Sequence, residues 1–117
     1  MEAHTFDLAE YAAELDAADA NRDVGTKVLL ENARVRIWDL DLAPGARVPF
    51  HCHATPYFFV CVDAGRGLSR FPDGNAMTMD YEEGFTWFDD VANGSEVHDL
   101  ENVGDTRLRF TTVELLA

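Results

Sequence analysis

The sequence predicts an all-β domain, a barrel or jelly roll with one short helix at its N-terminus. Three observations carry that expectation. From Val28 onward the chain is a series of short runs rich in Val, Ile, Phe, Trp and Thr, residues that fit a pleated, half-buried surface. Turn-forming groups interrupt these runs at roughly the 8 to 12 residue spacing of sandwiches and barrels. No long helical segment lies between them, so the crossovers of a parallel sheet have no room.

Taken in order, residues 6–18 place Phe6, Leu8, Tyr11, Ala12 and Leu15 on one face at helical spacing. That short amphipathic helix is suited to packing over a barrel end or a partner subunit. Strands are expected at Val28 to Leu30, Arg34 to Leu42, Val48 to Phe50, Tyr57 to Asp63, Leu68 to Phe71, Ala76 to Tyr81, Thr86 to Asp89, Glu96 to Glu101 and Arg107 to Leu115. Between them fall Pro44-Gly45, Gly65-Arg66-Gly67, Pro72-Asp73-Gly74-Asn75, Glu83-Gly84, Asn93-Gly94 and Gly104-Asp105, all turn chemistry. Residues 1–27 are read as helix and arm, and residues 28–117 as the barrel. There is no internal repeat or low-complexity segment.

A chain of 117 residues is the size of one domain, and 47% hydrophobic residues supply a core without disulfide staples. The net charge of −13 would repel phosphate backbones and anionic membranes, so neither nucleic acid nor membrane is an expected partner. No signal-peptide pattern or long apolar stretch stands out, and Cys52 and Cys61 are read as free thiols, so the expected location is the cytoplasm.

The chemistry is concentrated in histidines. His51 and His53 are two apart beside a strand, and residues i and i+2 of a strand point to one face. Two imidazoles projecting together into a barrel are costly to bury unless a metal or hydrogen-bond partners hold them. His98, on a later strand, can supply a third nitrogen if the sheet closes on itself. His4 lies in a terminus expected to fray and is set aside.

Gly45, five residues, and then His51-Cys52-His53 resembles the first motif of the cupin superfamily, with Gly65 or Gly67 as its later glycine. Gly84, His98 and Asn102 resemble the second motif. The resemblance covers roughly residues 28 to 115 and implies a double-stranded β-helix, or jelly-roll barrel. Where the first motif carries a glutamate this chain has Tyr57, and Asn93-Gly94-Ser95 replaces the proline-glycine turn of the second. In this the chain resembles small cupins associated with β-alanine degradation.

The resemblance implies His51, His53 and His98 as ligands of one divalent metal, with ferrous iron first and nickel, manganese, cobalt or zinc as alternatives. With no carboxylate ligand, two or three coordination positions stay open, and three-histidine cupins include dioxygenases. Tyr57 is then a hydrogen-bond or proton donor to bound oxygen. The expected enzyme acts on a small polar metabolite.

A second possibility needs no metal: Lys27, a histidine such as His53 and a carboxylate move protons in a dehydratase or isomerase acting on a sugar or nucleoside. Glu114, which shares a strand face with Phe110 and Thr112, is the candidate acid/base. A third is a non-catalytic small-molecule binder. Trp38, Trp87, Phe85, Phe88 and Phe50 are expected to line or plug the barrel. An inward residue among Arg34, Arg36, Arg107 and Arg109 could grip a carboxylate. Asp89-Asp90 is expected in a solvated loop or lid. Exposed sheet edges favour a homodimer.

Overall fold

A strand with one apolar face needs a second layer to cover it. In the computed structural model, which describes residues 1–117, that layer is another sheet. The strands are β1 (Glu2–Thr5), β2 (Lys27–Glu31), β3 (Val35–Leu42), β4 (Arg47–His53), β5 (Tyr57–Asp63), β6 (Gly65–Arg70), β7 (Asn75–Tyr81), β8 (Thr86–Asp89), β9 (Glu96–Asn102) and β10 (Leu108–Leu115). Two five-stranded antiparallel sheets result, in the orders β1-β7-β6-β9-β4 and β2-β3-β10-β5-β8. This is the jelly roll expected from the sequence.

Two local expectations need correction. His4 does not fray: β1 pairs with β7, with His4 opposite Ala76, so the N-terminus adds a strand that the sequence pattern had not revealed. Gly65-Arg66-Gly67 is not a turn but the start of β6. A Cβ on Gly67 would stand 2.9 Å from Leu100 Cδ1 in its own sheet and 3.2 Å from Leu108 Cδ2 in the facing one, so glycine there allows the sheets to approach.

The helical region is α1 (Ala12–Ala17), flanked by 3-10 turns at Leu8–Tyr11 and Ala18–Ala20. Asp7 caps its start, its carboxylate accepting from Ala9 N at 3.0 Å. The segment lies on the outer face of β4. Phe6 and Tyr11 pack on Phe50, which is therefore outside the barrel rather than plugging it. Asn21 fastens the segment's end: its carbonyl accepts from Cys52 N and its amide donates to Phe50 O.

Charge reinforces this docking. Asp99, fully buried on β9, accepts from Arg47 Nε at 2.7 Å and from Arg70 at 2.8 Å, and Arg47 also donates to Glu14 of α1. Tyr11 lies against both guanidinium groups. A buried charge costs heavily unless paired, and here each has a partner on a neighbouring element.

Inside, Leu40, Leu42, Val48, Cys61, Leu100, Leu108 and Phe110 fill one end of the barrel. The other end holds aromatic and thioether side chains with a few polar groups among them. Cys52 and Cys61 are free and buried. No helix is long and apolar enough to cross a membrane.

Candidate metal centre and its cleft

The histidines owe their position to an irregularity in β4. Val48 pairs with Leu100 and His51 with His98, so β4 spends three residues where β9 spends two. Such a bulge restores parity: Val48 and His51 both face inward, although an odd spacing would otherwise place them on opposite faces. Pro49, which has no N–H to contribute to a ladder, occupies the bulge. Phe50 N, released from the ladder, donates instead to Glu14 Oε1 at 2.6 Å.

The result is convergence. His53 Nε2 lies 3.2 Å from His51 Nε2 and 3.0 Å from His98 Nε2. Two nitrogens each about 2.1 Å from one ion and at right angles to each other lie about 3.0 Å apart. His51 Nδ1 is 2.8 Å from the Pro49 carbonyl; donating there leaves its Nε2 lone pair directed inward. Burial holds all three imidazoles neutral, the ligand form, with His98 pushed down to about 3 and His51 and His53 also lowered. At least two of the three meeting nitrogens therefore present lone pairs to one another, an arrangement a shared cation would satisfy. The residues fit a divalent metal.

Tyr57 stands where the first-motif glutamate would be. It is buried, its ring stacks on His53 with centroids 3.9 Å apart, and its hydroxyl donates to Glu96 Oε2 at 3.1 Å. His53 Nδ1 has no hydrogen-bond partner, so stacking orients this imidazole where a carbonyl orients His51. Burial first, and then the neighbouring Glu96 charge, push the Tyr57 hydroxyl well above its usual range.

Glu96 is the site residue that the sequence reading missed. It lies opposite His53 in the β4–β9 ladder and two residues before His98, on the same inward face. Burial raises its carboxyl, and the neighbouring Asp89 carboxylate raises it further. The signal available in the sequence was this i, i+2 relation to His98. Asp89 closes β8 and faces Glu96, while Asp90 alone is solvated, accepting from Ala92 N.

Other expected residues lie elsewhere. Lys27 is exposed on the edge strand β2, opposite Asp39 and outside the histidine cavity. Glu114 faces inward as expected and is buried, but it is held by Trp38 Nε1 at 2.6 Å and Arg36 at 3.4 Å and does not line that cavity. Arg36, Arg107 and Arg109 are paired with Glu31, Asp41 and Asp39, and Arg34 is exposed; none of the four lines the histidine cavity or the cleft beside it. Phe88 is exposed rather than lining the interior. Asn102 is structural, bridging the Leu42 and Thr106 carbonyls.

The three histidines and Tyr57 line a small cavity of about 40 Å³. His98 and Tyr57 also face a cleft of about 380 Å³ walled largely by Phe71, Met77, Met79, Phe85 and Trp87. Gly45 and Gly84, at φ of +84°, make the tight turns before β4 and β8 that the motif resemblance anticipates.

No protein-family model matches the chain, and no curated protein sequence does. Solved structures do. A cupin domain from Bordetella pertussis superposes with a TM-score of 0.69 at 25% identity, over 78% of this chain and 91% of that one. A predicted oxalate decarboxylase from Thermotoga maritima gives 0.57 at 25% identity, over 83% and 88%. A polyketide cyclase from Streptomyces resistomycificus gives 0.60 at 19%, over 78% and 63%. By fold, and by the inward register of its histidine pair, the chain is a small single-barrel protein of the cupin superfamily.

Proposed function

We propose that this protein is a metal-dependent enzyme of dioxygenase type, with His51, His53 and His98 holding one divalent ion, ferrous iron first. The carrying observation is the convergence of three neutral imidazole nitrogens beside a cleft large enough for a small substrate. A bound ion with open positions would supply Lewis acidity and, as ferrous iron, a means of activating dioxygen. The chain's own residues do the rest: the cleft walls offer apolar surface to a substrate, and the Tyr57 hydroxyl, anchored on Glu96, presents a hydrogen-bonding group beside His53. The match to a predicted oxalate decarboxylase, at 25% identity, supports an enzymatic reading.

The metal-free dehydratase or isomerase is supported less, because Lys27 and Glu114 lie outside the cavity. What favours it is the Tyr57 hydroxyl donating to Glu96, with the Asp89 carboxylate nearby, an acid/base set that needs no ion.

Elemental analysis of the untagged protein, purified without chelator, tests the first reading. About one iron, nickel, manganese, cobalt or zinc per chain is expected, and none in His51→Ala or His98→Ala. Protein that carries no metal and takes up none from ferrous ion would sink it. Oxygen consumption by the iron form then separates an oxygenase from a non-catalytic binder.

A further inference from the structure

We infer that the substrate is an uncharged, flat, aromatic molecule carrying hydroxyl or carbonyl oxygens, and not a carboxylate or phosphate. This rests on the histidine site as proposed above and narrows the small polar metabolite expected from the sequence.

The cleft decides it by shape and charge. Strand alternation on β7 turns Met77, Met79 and Tyr81 to the inner face, opposite Trp87 and Phe85, with Phe71 beside His98. The Phe71 ring is parallel to that of His98, within 16° at 6.2 Å between centroids. Flat apolar walls of this kind gain most from a flat apolar guest, and thioethers adapt to aromatic faces.

The polar groups of the lining are few: His98, Tyr57, Glu96, Asp89, Ser69 and the Tyr81 hydroxyl. Carboxyl and hydroxyl groups there can exchange hydrogen bonds with a guest's hydroxyl or carbonyl.

An anion meets the opposite situation. No lysine or arginine side chain lines the cleft or the histidine cavity. Four arginines that could have gripped a carboxylate are committed: Arg36 to Glu31, Arg70 to Asp99 and Glu101, Arg107 to Asp41, and Arg109 to Asp39. Beyond a bound ion and the Met1 amino terminus, an entering carboxylate would lose its water beside Asp89 and Glu96 without gaining a cation from the cleft walls, in a protein of net charge −13.

A matched pair of probes tests this: 2-naphthol, neutral at pH 7, and 2-naphthoate, its carboxylate counterpart. Each is titrated calorimetrically into metal-free and cobalt-loaded protein, with Trp87 fluorescence followed in parallel. 2-Naphthol should bind and quench a signal that Trp87→Phe abolishes, and in the metal-free protein 2-naphthoate should bind at least about tenfold more weakly. Met77→Arg, which places a guanidinium on the wall, should reverse that order.

Metal-free wild-type protein that prefers 2-naphthoate, or folded protein that takes up one cobalt per chain yet binds no 2-naphthol, would overturn the inference while leaving the metal site standing. Protein that binds 2-naphthol selectively but never takes up cobalt would support the inference and end the metal reading instead.

Discussion

Tyr57 is the residue on which the site turns. A glutamate at this position in related motifs would add a charge, whereas tyrosine leaves the cluster neutral and contributes a ring and a hydroxyl with separable tasks. The ring holds His53, whose Nδ1 has no partner; the hydroxyl reaches Glu96. Tyr57→Phe should therefore keep the metal and lose about 1 kcal/mol of stability, the worth of one hydrogen bond. Tyr57→Ala should in addition weaken metal affinity by about 10- to 100-fold, the usual cost of losing a group that orients a ligand. Metal titrations and denaturant melts of the two variants check this; equal metal affinity in both would remove the ring from its assigned task.

At the scale of elements, β4 is defined as much by what covers it as by its own pattern. Its bulge turns His51 inward, releases Phe50 N to Glu14, and so ties the ligand strand to α1. Burial would raise the Glu14 carboxyl, but hydrogen bonds from Arg47 and Phe50 N outweigh it, and the folded value lies below 4.5. A carboxylate depressed in this way binds protons more readily in the unfolded chain. Its stabilisation is present above the unfolded value and is lost as pH falls through the folded one. Glu14→Gln should therefore be less stable than wild type near neutrality, and the gap should close on acidification below about pH 4. Thermal melts across that range give the answer; a gap independent of pH would place the effect in packing alone.

At the scale of the whole molecule, the homodimer expected from the sequence needs a surface, and we propose the edge strand β2. Val28, Leu29 and Leu30 are 40%, 51% and 48% exposed, an unusual apolar run on an unpaired edge. A bulge leaves Leu29 without a partner on β3. Antiparallel pairing of two β2 strands about Leu29 sets Lys27 opposite Glu31 of the partner subunit, a self-complementary arrangement under two-fold symmetry. Sedimentation velocity should show a dimer that Leu29→Lys converts to monomer. A monomeric wild type, or a dimer indifferent to that change, would rule out β2.

The sequence by itself determined the strand ladder, because alternation and turn residues are local properties. The runs at Tyr57–Asp63 and Thr86–Asp89 have the bounds their residues imply. It also determined the three histidines, since their spacing and flanking glycines carry a recognisable motif. Only tertiary structure decided the rest. The parity of His51 depends on a bulge whose cause is shared between Pro49 and Glu14, far apart in the chain. Glu96 became a site residue because β9 lies against β4, whereas Lys27 and Glu114 were removed by an edge position and by Trp38 and Arg36. Strand formation is written in neighbours one and two residues apart; which inward side chains meet is set by the pairing of strands distant in the sequence and by the bulge that shifts their register.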